Sequence, residues 1–216
     1  MIGLYSKKKF NQQGFTIIEL LVATLIFSTI LLVATFAIIQ VSRVYIRGYI
    51  GATTQNTNRS ILDQLTQQLQ LSTNGTIILP ASSPSGAVYW FCVNGDRYTY
   101  VYNYAVGDPL SPTKNIFLQD KDPSSSCSGP ADLNCSSGCT GKELLTKNMQ
   151  ILPPSFGGSI IREITSNGQN LYQVNLNVLY GITGTYTPLT HVCVPISAGG
   201  AFCSPSSITT TIQQRT

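Results

Sequence analysis

The side chains here that could do chemistry begin with one acid. Glu19 lies four positions after Phe15 and heads Leu20 to Ile39, twenty residues without a charged side chain. Four residues are about 6 Å along a helix at 1.5 Å per residue. A charge at the centre of hydrocarbon costs roughly 2.5–3.5 kcal/mol, and less at the interface. The acid is therefore either tolerated beside a helix N-terminus, whose dipole favours it, or put to use. If the chain is cut after Gly14, Phe15 gains a cationic amine that Glu19 can neutralise. The pairing can form within the chain at i,i+4 spacing or across to a neighbouring helix.

The second chemical group is six cysteines, Cys92, Cys127, Cys135, Cys139, Cys193 and Cys203, all beyond the apolar run. An even set on one side of a membrane points to disulfides in an oxidising compartment. Cys193 is expected to pair with Cys203, with two bridges among Cys92, Cys127, Cys135 and Cys139. Fifteen connectivities are possible, and spacing does not choose among them. A zinc site with His191 is the sharper alternative. Spacings of seven and three intervening residues do not supply the two paired C-x₂₋₄-C sets typical of zinc modules, and no metal or other cofactor is expected. Asp120, Asp122 and Asp132 lack EF-hand spacing for calcium. His191 is the one histidine, and no nucleotide loop, metalloprotease helix or paired-carboxylate cleft accompanies it. The expectation is a chain without enzymatic activity.

The formal charge of +4 invites a nucleic-acid reading. Lys7, Lys8, Lys9, Arg43 and Arg47 account for five of thirteen positive charges, and from Ala52 onward eight basic residues face eight acidic ones. That neutral distal part has no electrostatic footprint for DNA. Charged residues are only 10% of the chain, the composition of an exported protein made soluble by neutral polar groups.

The elements that must position these residues start at the apolar run, long enough for one membrane crossing. A secretory signal carries its cleavage site after the apolar core. Here Lys7-Lys8-Lys9, Asn11-Gln12-Gln13 and Gly14-Phe15 all precede the run, and no small-residue site closes it. Cleavage would leave the apolar segment in the mature protein. The stretch Gly14-Phe15-Thr16-Ile17-Ile18-Glu19-Leu20-Leu21-Val22-Ala23 resembles the prepilin-type cleavage and methylation motif of type IV pilins and type II secretion pseudopilins. The resemblance implies that a prepilin peptidase cuts after Gly14 on the cytoplasmic side and methylates Phe15. It implies that Glu19 guides docking into a filament with other pilin or pseudopilin subunits at an inner-membrane assembly platform. It also implies calcium in the head loop as a further option, since some pseudopilin loops bind it. Phe36 stands where many major pilins have a proline, which tilts the resemblance toward a minor subunit; the layout loosely resembles the PilW and PulJ kinds.

The expected fold is α+β: a long N-terminal helix packed on an antiparallel sheet. The expected segments are a leader (1–14), a transmembrane and filament-core helix (15–41), an amphipathic continuation (42–71) and an extracytoplasmic β-rich head (72–216). No proline interrupts the chain between Phe15 and Leu79. Ile61, Leu65 and Leu69 recur at helical spacing, while Gly48 and Gly51 mark a bend or a break. A helix from Phe15 to Leu71 would run roughly 85 Å. In the head, Ala87–Val93 and Arg97–Val106 flank Asn94-Gly95 as a hairpin, with Tyr98, Tyr100, Tyr102 and Tyr104 on one face. A second hairpin is expected from Tyr172–Tyr180 and Tyr186–Val194, with Pro188 at an edge and Ile208–Ile212 as a last short strand. One sheet of four to six strands results, and residues 108–141 form a long loop. The functions in view are a minor type IV pilin, a pseudopilin of a secretion or competence system, and a single-pass anchored binding domain that never polymerises. The first two place the chain in the cytoplasmic membrane, then in a filament at the surface or in the periplasm.

Overall fold

The computed structural model describes residues 14–72, 77–79, 88–121, 127, 129–136, 140–154, 158–166, 169–182, 184–187, 190, 192–195 and 202–214. The chain divides into two compact units, Met1–Ser42 and Arg43–Thr216. One helix, α1 (Ile17–Leu71), is continuous through Gly48 and Gly51, so neither glycine breaks it. Each forgoes roughly 1 kcal/mol of helix propensity, and fifty-three other residues in the 55-residue helix outweigh that.

In the first unit the helix is apolar and long enough to cross a membrane. Its side chains from Ile17 to Ile39 are exposed. The few hydroxyls there bond back to the helix itself: Thr24 Oγ1 donates to Leu21 O at 3.0 Å, Ser28 Oγ to Thr24 O at 2.7 Å and Thr35 Oγ1 to Leu31 O at 2.7 Å. This removes the cost of an unsatisfied polar group in hydrocarbon.

The second unit is an α+β body. Ile50, Thr54, Asn58, Ile61, Leu65 and Leu69 form the buried stripe of its helical portion. Two antiparallel sheets supply the rest. The first runs β1 (Ile77–Ile78), β2 (Val88–Val93), β3 (Asp96–Val101), β4 (Phe117–Lys121) and β5 (Lys142–Glu143) in that spatial order. The second is built on the long β8 (Gln169–Gly181). Both β6 (Met149–Leu152) and β7 (Ile161–Ser166) pair with β8, and β9 (Cys203–Gln213) pairs with it as well.

The β2–β3 hairpin forms at Asn94-Gly95, whose φ angles of 57° and 85° suit a type I′ turn. Phe91 stacks on Tyr98 at 4.9 Å and Tyr89 on Tyr100 at 5.6 Å, while Tyr100 meets Phe117 edge-on at 5.6 Å. Such pairs add about 0.5–1.5 kcal/mol each beyond area burial. The buried Tyr100 hydroxyl accepts from Ile160 N at 3.0 Å, and Tyr102 Oη donates to Gly158 O at 2.7 Å.

Several expectations are corrected. The tyrosine strand stops at Val101 rather than Val106, because Asn103 turns at φ 68°. Tyr102 then bridges to Ile151, and Tyr104 is only half-buried. The head holds two sheets instead of one. Residues 108–141 are not one long loop: Ile116, Phe117 and Leu118 are buried, and β4 pairs with β3. Glu143 straps this region by accepting from the backbone N–H groups of Ile116 at 2.7 Å, Phe117 at 3.0 Å and Leu145 at 3.1 Å. Burial pushes its carboxyl up, against the pull of these donors. The partner of β8 is not Tyr186–Val194, whose described residues form the isolated bridge Tyr186↔Cys193. It is β9, eleven residues whose Ile208 and Ile212 alternate with Ser and Thr to match β8. Pro188, His191, Asp122 and Cys139 lie outside the described residues.

Cys127 and residues 129–135 are tied to the first sheet by three links. Cys92 is bonded to Cys127 across 35 residues, Ala131 N donates to Thr99 Oγ1 at 2.9 Å, and Asn115 N to Leu133 O at 3.1 Å. Within that sheet Arg97 Nε donates to Asp120 Oδ1 at 3.0 Å.

Leu65→Ala is expected to lower the stability of the full chain in detergent micelles by about 2–5 kcal/mol. Gln67→Ala, at an exposed helix position, should change it by less than about 0.5 kcal/mol. Denaturant unfolding followed by Trp90 fluorescence reads both.

Candidate functional site

The first turn of α1 is built by two side chains. Thr16 precedes the first helical residue, and Glu19 is the third residue of the helix. Thr16 N donates to Glu19 Oε2 at 2.9 Å, Thr16 Oγ1 donates to the same oxygen at 2.9 Å, and Glu19 N donates to Thr16 Oγ1 at 3.3 Å. This is a reciprocal capping box that satisfies two otherwise orphaned amides. The acid also complements the positive end of the helix dipole. Charge and hydropathy do not mark Thr16; the pattern Thr-x-x-Glu ahead of an apolar run does.

The site brings Phe15, Glu19 and the apolar face together. Phe15, Ile18, Glu19, Val22, Ala23 and Ile26 line one shallow groove along the helix. Phe15 is 76% exposed, and Gly14 before it has open space where a β-carbon would stand. Glu19 is thus the single acid on an apolar groove, its carboxylate drawn back over the helix end. Lys7, Lys8 and Lys9 lie outside the described residues. The arrangement offers an exposed peptide bond before the helix and a carboxylate that accepts hydrogen bonds near that bond.

The cysteines belong to the second unit. Cys193 is joined to Cys203, as expected, at a sequence separation of 10. The second bridge joins Cys92 to Cys127, which spacing left open. Cys135 is also disulfide-bonded, and it accepts from Asn115 Nδ2 at 2.9 Å. Asp120 is occupied by Arg97. Asp132 accepts from the N–H groups of Ser136 and Asn134, which hold its carboxyl below the usual range. Among the described residues no three His, Cys, Asp or Glu side chains are grouped to hold a metal ion.

The family model for the prokaryotic N-terminal methylation motif matches residues 9–35, the segment that contains this turn. No curated protein and no solved structure matches the chain. The motif match supports the type IV pilin and pseudopilin family. One long N-terminal helix with antiparallel sheets is the α+β, pilin-like architecture. The match does not single out the PilW or PulJ kinds. The motif and the apolar helix fit membrane anchoring.

Thr16→Val removes the hydroxyl that caps the helix, a change worth about 0.5–2 kcal/mol. Hydrogen exchange of the full chain in micelles should show faster exchange at Glu19, whose N–H the hydroxyl accepts from. Glu19→Gln keeps an acceptor for the box, so its exchange there should stay close to that of the parent chain.

Proposed function

We propose that this chain is a minor pilin-like structural subunit of a type IV pilus, cut after Gly14 by prepilin peptidase, methylated on Phe15 and assembled through α1. The observation that carries this reading is the placement of Glu19 at the head of an exposed apolar helix, one turn after Phe15. In the mature chain the new amine sits one residue before the amide that Glu19 already holds. A second helix bringing its own amine to the groove offers the carboxylate a stronger, charged donor. Exchange of the local amide for that amine would tie docking to the register between helices.

The size of the head and its disulfides favour a sparse or tip position over a tightly repeating lattice. Phe36 in place of a helix-kinking proline favours it too. A pseudopilin of a type II secretion or competence system is the second reading, since the same helix serves both. A non-polymerising anchored binding domain is the reading of another class. No enzymatic role is proposed: Arg97, Asp120 and Glu143 are engaged in holding the head together. The balanced charge of the distal chain gives no reason to propose direct nucleic-acid binding.

Mass spectrometry of the mature N-terminus is expected to find N-methyl-phenylalanine at residue 15. An intact Met1 in cells that possess a prepilin peptidase would overturn both filament readings. Glu19→Gln should be processed normally yet be depleted at least tenfold from sheared filaments. Undiminished incorporation would leave the non-polymerising anchor as the better account.

A further inference from the structure

The long strand β9 has an edge that nothing in the described structure covers. It pairs with β8 residue for residue, from Leu171↔Gln213 to Gly181↔Cys203, without a bulge. The opposite edge of β8 is taken by β6 and β7. Which backbone groups face outward follows from three bonds. Gln214 N donates to Asn170 O at 3.5 Å, so even-numbered residues of the two strands face one another. Asn175 N donates to Ile160 O and Gly181 N to Asn148 O, both at 2.9–3.0 Å, so odd-numbered residues of β8 face away from β9.

Antiparallel alternation then points the N–H and C=O groups of Ser207, Thr209, Thr211 and Gln213 away from β8. Among the described residues no group bonds to them. These four residues are also exposed. They span about 20 Å at 3.4 Å per residue. Natural edges of this length are normally blunted by charges, prolines or bulges. From Cys203 to Gln213 there is no charged side chain, and Pro205 guards only the start.

We propose that the outer edge of β9 accepts an extended, uncharged strand from another polypeptide, which adds to the sheet through the backbone of Ser207, Thr209 and Thr211. Strand addition of this kind draws affinity from main-chain bonds and selectivity from alternating side chains. On one face the incoming strand lies beside Ser207, Thr209 and Thr211, themselves next to Asn177, Asn175 and Gln173. All six are neutral, so a charge brought there would find no counter-charge. On the other face it meets half-buried Ile208 and Thr210 and buried Ile212. The matching strand therefore alternates small neutral polar residues with β-branched apolar ones. The inference is independent of the filament reading.

The test uses the full chain in detergent micelles and a fluorescein-labelled peptide of alternating Thr and Val, eight residues long. A copy N-methylated at every second amide is the control. Saturable binding is expected, weakened at least tenfold by N-methylation and at least tenfold by Thr209→Pro. The outward N–H of residue 209 makes proline tolerable at this edge. Thr209→Lys replaces that variant if its circular dichroism departs from the parent's. No saturable binding, equal binding of the two peptides, or unchanged binding by the residue-209 variant would overturn the proposal. So would a dimer of the chain alone that the variant abolishes, since the edge would then belong to a second copy.

Discussion

Ile61, Leu65 and Leu69 lie under the sheets as one stripe of α1, each at or below 2% exposure, and the rest of the head depends on that contact. Fully burying a leucine or isoleucine is worth about 1.5–3 kcal/mol, and three in a row give the strands a surface to fold against. Without it the core faces of β3 and β8 would meet water. Asn58 adds direction to the contact: its amide donates to Leu176 O at 3.2 Å and Ser206 O at 3.1 Å. A buried amide with two carbonyl acceptors fixes β8 and β9 against the helix in one register, since a slip by one residue would turn those strands' side chains over.

From the same contact follows the division of labour along the helix. From Ile50 onward one stripe of its side chains is buried within its own unit, while Val44, Tyr45 and Tyr49 are exposed. Before Arg43 the apolar side chains are exposed along the whole turn-by-turn surface, and the hydroxyls are satisfied by the helix backbone. A segment of that kind is stable where hydrocarbon or other helices replace water. Its first turn is different: Thr16 and Glu19 close it with side-chain bonds, leaving the acid on an apolar groove.

How much of this was legible depended on whether the cause was local. The stripe at i, i+4, i+8 and the Asn-Gly turn are set by residues within a few positions of one another, and both read correctly. Asn103 illustrates the contrary case: alternation of tyrosines continues to Tyr104, yet a left-handed residue ends the strand. Phe117 was lost in a stretch rich in Ser, Pro and Gly, because one short apolar cluster carries little periodicity. At the candidate site Glu19 stood out by its charge, whereas Thr16 needed the two-residue pattern to be recognised.

The sequence by itself determined the methylation-motif segment around Gly14-Phe15, the apolar run headed by Glu19 and the disulfide-forming cysteines that follow it. The first two are properties of short contiguous segments and the third of composition. Only the tertiary structure decided that β9, not Tyr186–Val194, completes the sheet and that Cys92 meets Cys127 from 35 residues away. Pairings across such distances are chosen by which apolar faces can be covered together, and composition along the chain carries no record of that choice.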